Sequence, residues 1–366
     1  MSDFIYRRAR PEIFALKPYI PGKPIEEVRR ELGIEDIIKI ASNENPLGPS
    51  PRALEAIGKN LSQISLYPDS NCHYLRTKLS SLWGFEPDAF IIGNGSDELL
   101  KLIAETFLNK DDEVIYPEPS FAEYEFVTRI MGAKCVPVPL VDFTLDLESM
   151  LEMVNERTKI VVICNPNNPT GTMVRPAAVD RFMDRIPQDV LVVFDEAYIE
   201  YTEEKEASAL KYVANGKNVI VLRTFSKIYG LAGLRIGYGV TAPEIADAIG
   251  RVREPFNVNM LAQLGSIAAL DDSHHLAMSR KINEAGKEYL YKEFDQMGLQ
   301  YVKTEANFIF VNTGRDCQSV FKSLLNRGII VRTGDIFGFP TYIRVTIGTQ
   351  EQNERFIDAL KTVLQS

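Results

Sequence analysis

The stretch Asn218-Val219-Ile220-Val221-Leu222-Arg223-Thr224-Phe225-Ser226-Lys227 decides how the chain is read. Asn218–Leu222 is an apolar run of strand length and reads as a buried strand. Thr224-Phe225-Ser226-Lys227 closes it, and a glycine-punctuated loop, Tyr229-Gly230-Leu231-Ala232-Gly233, follows. Arg235 stands eight residues beyond the lysine, in Leu234-Arg235-Ile236-Gly237. A lysine at the mouth of a buried strand, with a hydroxyl before it and an arginine beyond, suits a Schiff-base lysine beside a phosphate site. The plain alternative is a solvated loop lysine, and this stretch alone does not separate the two.

Outward from that strand, residues 90–240 alternate short apolar runs with helix-length amphipathic stretches. The expected strands are Phe90–Ile92, Glu113–Tyr116, Lys134–Val136, Lys159–Cys164, Val190–Phe194, Val219–Leu222 and Ile236–Val240. Continuous apolar strands separated by helices predict an α/β unit with a mainly parallel sheet, whose ligands sit off the carboxyl ends of the strands. After about residue 255 the pattern becomes α+β. A long helical region covers Met260–Met297, and a strand follows at Asn307–Val311. A helix near Cys317–Asn326, strands at Ile329–Val331 and Tyr342–Val345, and a helix from about Glu351 complete it. The proline-rich first 30 residues read as an arm that packs elsewhere.

Three motifs sit directly after expected strands, each with a bland reading beside the chemical one. Gly93-Asn94-Gly95-Ser96-Asp97-Glu98 precedes a helix starting near Ser96. It could hold a phosphate monoester on free backbone N–H groups, or be a serine capping box with flexible glycines. It is not the dinucleotide fingerprint, because Glu98 replaces the small last residue. Asn165-Pro166-Asn167-Asn168-Pro169-Thr170-Gly171 is either a rigid turn or a fixed mount for the Asn168 amide, a donor suited to a phenolate-like oxygen. In Phe194-Asp195-Glu196-Ala197-Tyr198 the first carboxylate ends an apolar strand, which is costly without a cationic partner. A protonated pyridine nitrogen would serve, and so would a role as helix cap. Glu196 reads as structural or solvated.

The whole-chain properties exclude several classes. The 366 residues suit roughly two domains, and the net charge of −9 offers no basic stripe for nucleic acid. An anionic substrate would need local arginines. The N-terminus has no apolar h-region, and no apolar run approaches membrane-spanning length. Four separated cysteines read as reduced thiols, and three histidines disfavour zinc chemistry. A cytoplasmic location is expected, with no metal, no membrane and no nucleic-acid partner.

A phosphate cradle, an amide, an acid, a tyrosine and a lysine, in that order, resemble the class I and II aminotransferases among fold-type I pyridoxal-phosphate enzymes. The resemblance spans nearly the whole chain. Within the family, Asn43-Glu44-Asn45-Pro46-Leu47-Gly48-Pro49, Tyr67-Pro68, Ala306-Asn307-Phe308 and Ile343-Arg344-Val345-Thr346-Ile347-Gly348 look most like the branch acting on histidinol phosphate. The resemblance implies an α/β fold of fold-type I: a large domain with a mainly parallel seven-stranded sheet plus a smaller α+β domain. The implied division is an arm at 1–30 contributing to the small domain, a cofactor-binding domain at 31–255 and a small domain at 256–366.

By the same resemblance the cofactor is pyridoxal 5'-phosphate. Lys227 is its covalent anchor and proton shuttle, Asp195 keeps the ring nitrogen protonated, and Asn168 and Tyr198 hydrogen-bond the ring oxygen. Ser96, Asp97, Ser226 and Arg235 hold the phosphate. Phe121, in Pro119-Ser120-Phe121, stacks on the ring where many relatives have tyrosine, so any role of that hydroxyl is missing here. Tyr67 implies a homodimer with shared sites, reaching the phosphate of the neighbouring subunit. Arg344 is the expected anion clamp, with Arg332, Tyr19 and Asn43 as further substrate-binding candidates. The implied activity moves an amino group between L-histidinol phosphate and 2-oxoglutarate, in histidine biosynthesis. Imidazole acetol phosphate and glutamate form in the reverse of the biosynthetic sense. A broad aromatic aminotransferase and a decarboxylase of a phosphorylated amino acid share the same cofactor residues. A cofactor-binding regulator would need a DNA-binding domain, for which the chain has no spare length or basic helix.

Overall fold

The computed structural model describes residues 3–16, 22–204 and 206–365. Its strands are β1 (Ile38–Lys39), β2 (Phe90–Gly93), β3 (Glu113–Glu118), β4 (Lys134–Pro139), β5 (Thr158–Cys164), β6 (Leu191–Asp195) and β7 (Val219–Thr224). They continue with β8 (Gly237–Val240), β9 (Gln300–Val302), β10 (Phe308–Asn312), β11 (Ile329–Ile330), β12 (Arg332–Thr333) and β13 (Tyr342–Thr346). Seven of them form one sheet in the order β2-β8-β7-β6-β5-β3-β4. It is parallel except at β8, which runs antiparallel to both neighbours.

The central strands are buried on both faces, which explains their unbroken apolar runs. Alternation divides the residues cleanly. Val161, Ile163, Val192, Phe194, Val219 and Val221 pack into one core. Ile160, Val162, Leu191, Val193, Ile220 and Leu222 pack into the other. Register places Cys164 beside Asp195, and Asp195 beside Leu222, so β5, β6 and β7 end at nearly one level. Polar residues that follow these ends converge on one edge of the sheet.

A second, antiparallel sheet has the order β12-β13-β10-β9, and β1 pairs in parallel with β11 as a separate two-stranded piece. Phe294, Ile309, Val345, Phe356 and Leu360 are among the residues of its core, beneath helices Ser273–Gln296 and Gln350–Gln365. The helical region expected over 260–297 is two helices, Met260–Leu270 and Ser273–Gln296. Asp272 causes the break: its carboxylate accepts from the His275 N–H at 3.1 Å and starts the second helix. The arm forms a short helix, Asp3–Arg8, and a 3₁₀ turn, Pro11–Ala15. It is tied down where Arg10 donates to the Ile130 carbonyl. Among the described residues, no helix is long and apolar enough to cross a membrane.

Gly230, three residues after Lys227, has φ of +71°, and a Cβ there would lie 2.1 Å from the Gly48 carbonyl oxygen. Gly233 has nothing within 4 Å of its Cβ position. Gly230→Ala should therefore cost at least about 2 kcal/mol, from left-handed strain plus a backbone clash. Gly233→Ala should stay within about 0.5 kcal/mol of wild type. Denaturant midpoints of the two variants check the contrast, and equal midpoints would refute the close approach.

Candidate active site

Asp195, the last residue of β6, is 3% exposed. The Ala197 N–H donates to its Oδ1 at 3.1 Å and the Tyr124 hydroxyl to its Oδ2 at 2.7 Å. Burial pushes this carboxyl up to about 6 against the pull of those two donors. Asp195 is not a helix cap: the 3₁₀ turn beyond it begins at Ile199, with Tyr198 at the cap position. It is a buried carboxylate satisfied by neutral donors, ready for a cation.

Lys227 lies just past β7, and its Nζ donates to the Ser42 carbonyl at 3.2 Å. Burial, followed by the nearby Arg344 charge, brings its amine down to about 8. An amine poised there is partly neutral near physiological pH, as a covalent anchor and proton carrier requires.

Lys227 Nζ lies 5.7 Å from the Tyr198 ring centroid, and the structure brings Asn168 and Tyr198 each together with a predicted substrate residue. Arg344 Nη1 donates to Asn168 Oδ1, and Arg344 Nη2 donates to the Ala41 carbonyl at 2.7 Å. Arginine only donates, so the Asn168 oxygen must face it and the amide N–H₂ is left to donate elsewhere. Asn43 Nδ2 donates to the Tyr198 hydroxyl at 2.9 Å, while Asn43 Oδ1 accepts from Thr346 Oγ1 at 3.1 Å. Tyr198 thus accepts from Asn43 and keeps its own proton to donate. Two oriented donors beside the lysine match the demand of a ring oxygen.

The cradle lies at the N-terminus of helix Ser96–Phe107. Its cap is Gly95 rather than the serine expected, and no side chain caps the first-turn N–H groups. Glu98 instead accepts from the Asn94 N–H at 2.5 Å and from Asn257. Arg235 spans the cradle, donating to Asp97 Oδ2 at 3.0 Å and to Ser226 Oγ at 3.4 Å. A Cβ on Gly95 would fall 2.8 Å from Arg235 Nη2, so glycine is needed for the guanidinium to sit there. Open N–H groups, a hydroxyl and a guanidinium suit a phosphate monoester.

Arg332 faces Arg344 as its direct partner across β12 and β13. Arg344 is buried, its guanidinium 5.2 Å from the Phe308 ring centroid. Phe121 is half-buried and meets Tyr124 edge-on at 5.8 Å. Tyr67 stands apart from this group, 83% exposed and stacked on Phe256 at 4.7 Å. Tyr19 lies outside the described residues. Sequence reasoning passed over Tyr124, three residues after Phe121, although a hydroxyl in an apolar helical pattern was the available signal. Thr346 and Asn307 entered the sequence reading only as members of motifs, with no role of their own; the Asn307 amide donates to the Asn43 carbonyl at 3.0 Å.

A buried acid at a strand end, a lysine after the next strand and a phosphate cradle at a helix start define a fold-type I pyridoxal-phosphate site. The profile of the family described as Aminotransferase class I and II matches residues 35–360, and the chain belongs to that family. The histidinol-phosphate aminotransferase of Moorella thermoacetica is 55% identical over 98% of this chain and 93% of its own. That of Caldicellulosiruptor saccharolyticus is 50% identical over 97% and 99%. The crystal structure of histidinol-phosphate aminotransferase from Sinorhizobium meliloti in complex with pyridoxal-5'-phosphate superposes with a TM-score of 0.91. It is 28% identical, with 98% of each chain covered. The chain is a pyridoxal-phosphate-dependent aminotransferase, and the cradle and the cation-ready carboxylate fit that cofactor.

The lowered amine yields a test on cofactor-free protein. Covalent capture of Lys227 by pyridoxal phosphate, fixed with borohydride and read by mass spectrometry, should rise with pH to a plateau. Its midpoint is expected near 8, where the amine loses its proton. Arg344→Ala removes a repelling positive charge and should move the midpoint upward. A midpoint at the ordinary lysine value of about 10.4 would refute the burial.

Proposed function

We propose that this chain transfers an amino group between L-histidinol phosphate and 2-oxoglutarate, in histidine biosynthesis. Pyridoxal phosphate, when bound, supplies the carbonyl that takes the amine and a ring that withdraws electrons from the substrate carbon. Ser96 and Asp97 main-chain groups, Ser226 and Arg235 hold its phosphate, and Phe121 covers its ring. Asp195 keeps the ring nitrogen protonated, while Asn168 and Tyr198 donate to the ring oxygen. Lys227 anchors the group, and its freed Nζ moves the proton off the substrate carbon.

The observation that carries the substrate assignment is the Arg332–Arg344 pair across β12 and β13. Histidinol phosphate has no α-carboxylate, so its phosphate takes the anion position at Arg344. A fixed guanidinium suits either a phosphate or a carboxylate of glutamate. Arg332 and Asn43 complete the pocket. The relatives named above as histidinol-phosphate aminotransferases support this substrate over aromatic amino acids.

The working division is an arm to residue 30, a cofactor unit to about 255 and a smaller C-terminal unit, with residues 38–39 hydrogen-bonded to β11. The active form is a homodimer in the cytoplasm. Tyr67 serves the phosphate of the neighbouring subunit, since Leu61, Ile64, Leu66 and Tyr67 form an exposed apolar run.

The deciding experiment is steady-state kinetics with histidinol phosphate against phenylalanine. A higher kcat/KM on phenylalanine would replace this reading with the aromatic one. Arg344→Ala should lower kcat/KM at least about tenfold for both histidinol phosphate and glutamate, because one charge-assisted clamp serves both anions. Arg344→Lys should recover only part, keeping charge without the fork. Wild-type kcat/KM for either substrate in Arg344→Ala would exclude a shared clamp. Lys227→Ala should abolish turnover, and near-normal activity would remove the lysine from its role.

A further inference from the structure

We propose that Tyr124 is a positioning residue that fixes the plane and the charge of Asp195 through its hydroxyl. The proposal rests on the reading that Asp195 faces the cofactor ring nitrogen. Tyr124 comes from helix Glu123–Ile130 and is 1% exposed, its ring among Leu100, Ile103, Val127, Val162 and Val193. Only its oxygen is polar, and that oxygen donates to Asp195 Oδ2 at 2.7 Å. The other carboxylate oxygen takes the Ala197 N–H at 3.1 Å. One fixed donor on each oxygen leaves the carboxylate no free rotation, so its remaining lone pairs keep a set direction.

The same hydroxyl decides the charge. A buried carboxylate tends to neutralise unless donors stabilise its anion. The titratable groups facing Asp195 are few. Tyr124 and Lys227 favour the anion, whereas Asp97 on helix Ser96–Phe107 opposes it. Cys164, level with Asp195 at the end of β5, and Tyr198 are also close. Burial and the Asp195 charge push both the Cys164 thiol and the Tyr124 phenol upward, so each stays protonated. Tyr124 is therefore a permanent donor at working pH, and the largest single support for the anion. The edge-on contact with Phe121 at 5.8 Å ties this donor to the residue proposed to cover the ring.

Tyr124→Phe tests this, since it removes the oxygen and leaves the ring packing. The probe is pyridoxamine phosphate, which cannot bond to Lys227 and so reads the non-covalent pocket. Its affinity for cofactor-free protein is titrated across pH 5–9, alongside the ¹⁵N shift of the bound ring nitrogen. Tyr124→Phe is expected to weaken binding roughly tenfold to a hundredfold. The acid limb, where Asp195 takes up a proton and affinity falls, should move up by at least about one unit. The ring nitrogen should shift toward its unprotonated value, with thermal stability nearly unchanged. An unmoved acid limb and an unmoved nitrogen shift would overturn the proposal, as would a pH-independent loss that tracks melting temperature. Asp195→Asn separates the two readings. If it leaves pyridoxamine phosphate affinity intact, the role of Asp195 fails. If it weakens binding while Tyr124→Phe does not, only the role of Tyr124 fails.

Discussion

The cost of keeping the Asp195 carboxylate out of water organises the carboxyl edge of the large sheet. Asp195 ends β6 and Glu196 follows it directly, and the chain treats these two adjacent acids in opposite ways. Glu196, 1% exposed, receives a full counter-charge: Arg223 Nη2 on β7 donates to it at 2.8 Å, and Ser208 donates at 3.0 Å. Arg223 is itself buried against Trp83, its guanidinium 4.4 Å from the ring centroid, and lies 3.9 Å from Glu200. Among the described residues, Asp195 takes hydrogen bonds from a phenol and a backbone N–H. A cation built into the protein at Asp195 would satisfy the carboxylate and leave nothing for a ligand to complete. Arg223 thus holds the ends of β6 and β7 together, while Asp195 is left open to a cation from outside the chain.

One stretch of chain, residues 38–50, binds this edge to the second sheet. β1 pairs with β11, the Ile40 carbonyl accepts from the Thr346 N–H at 2.8 Å, and the Ala41 carbonyl takes Arg344. Ser42 then takes Lys227, and Asn43 meets Tyr198, Thr346 and Asn307. Asn45 donates to the Ile228 carbonyl at 2.6 Å and to Ser279 at 2.8 Å. Asn43 sits in the left-handed region at φ 57°, a strain that asparagine tolerates better than most residues. Lys227, Tyr198 and Arg344 are therefore spaced by a single segment.

The sequence made the central strands legible because burial on both faces writes itself as unbroken apolar runs, and the motifs legible because each follows such a run directly. Strand ends moved by one to three residues, as at β3, which continues through Pro117 to Glu118. Pairing over long separations left no local trace. The two-residue strands β1 and β12 lack a pattern long enough to read. The reversed direction of β8 follows from the short loop that returns the chain after Lys227, and apolar composition is blind to direction. Glu196 shows the same limit. Its role depends on Arg223, 27 residues away, and a carboxylate beside Ala197 reads equally as structural or solvated. Tyr124 was hidden because its ring satisfies the helix pattern completely, leaving the hydroxyl unremarked.

Arg344 joins the second sheet to the electrostatics of the lysine. Its bonds to Ala41 and Asn168 hold the guanidinium in place before any anion arrives, so little ordering remains for binding to impose. Burial is the main reason the Lys227 amine stays below its ordinary range, and the nearby Arg344 charge is the next. An anion bound at Arg344 would weaken that field. The Lys227 amine would then regain proton affinity when a phosphate or carboxylate is in place. Without an anion the same field keeps the amine partly neutral and able to bond covalently. A single buried charge would thus couple occupancy of the Arg344 side of the site to the protonation of Lys227.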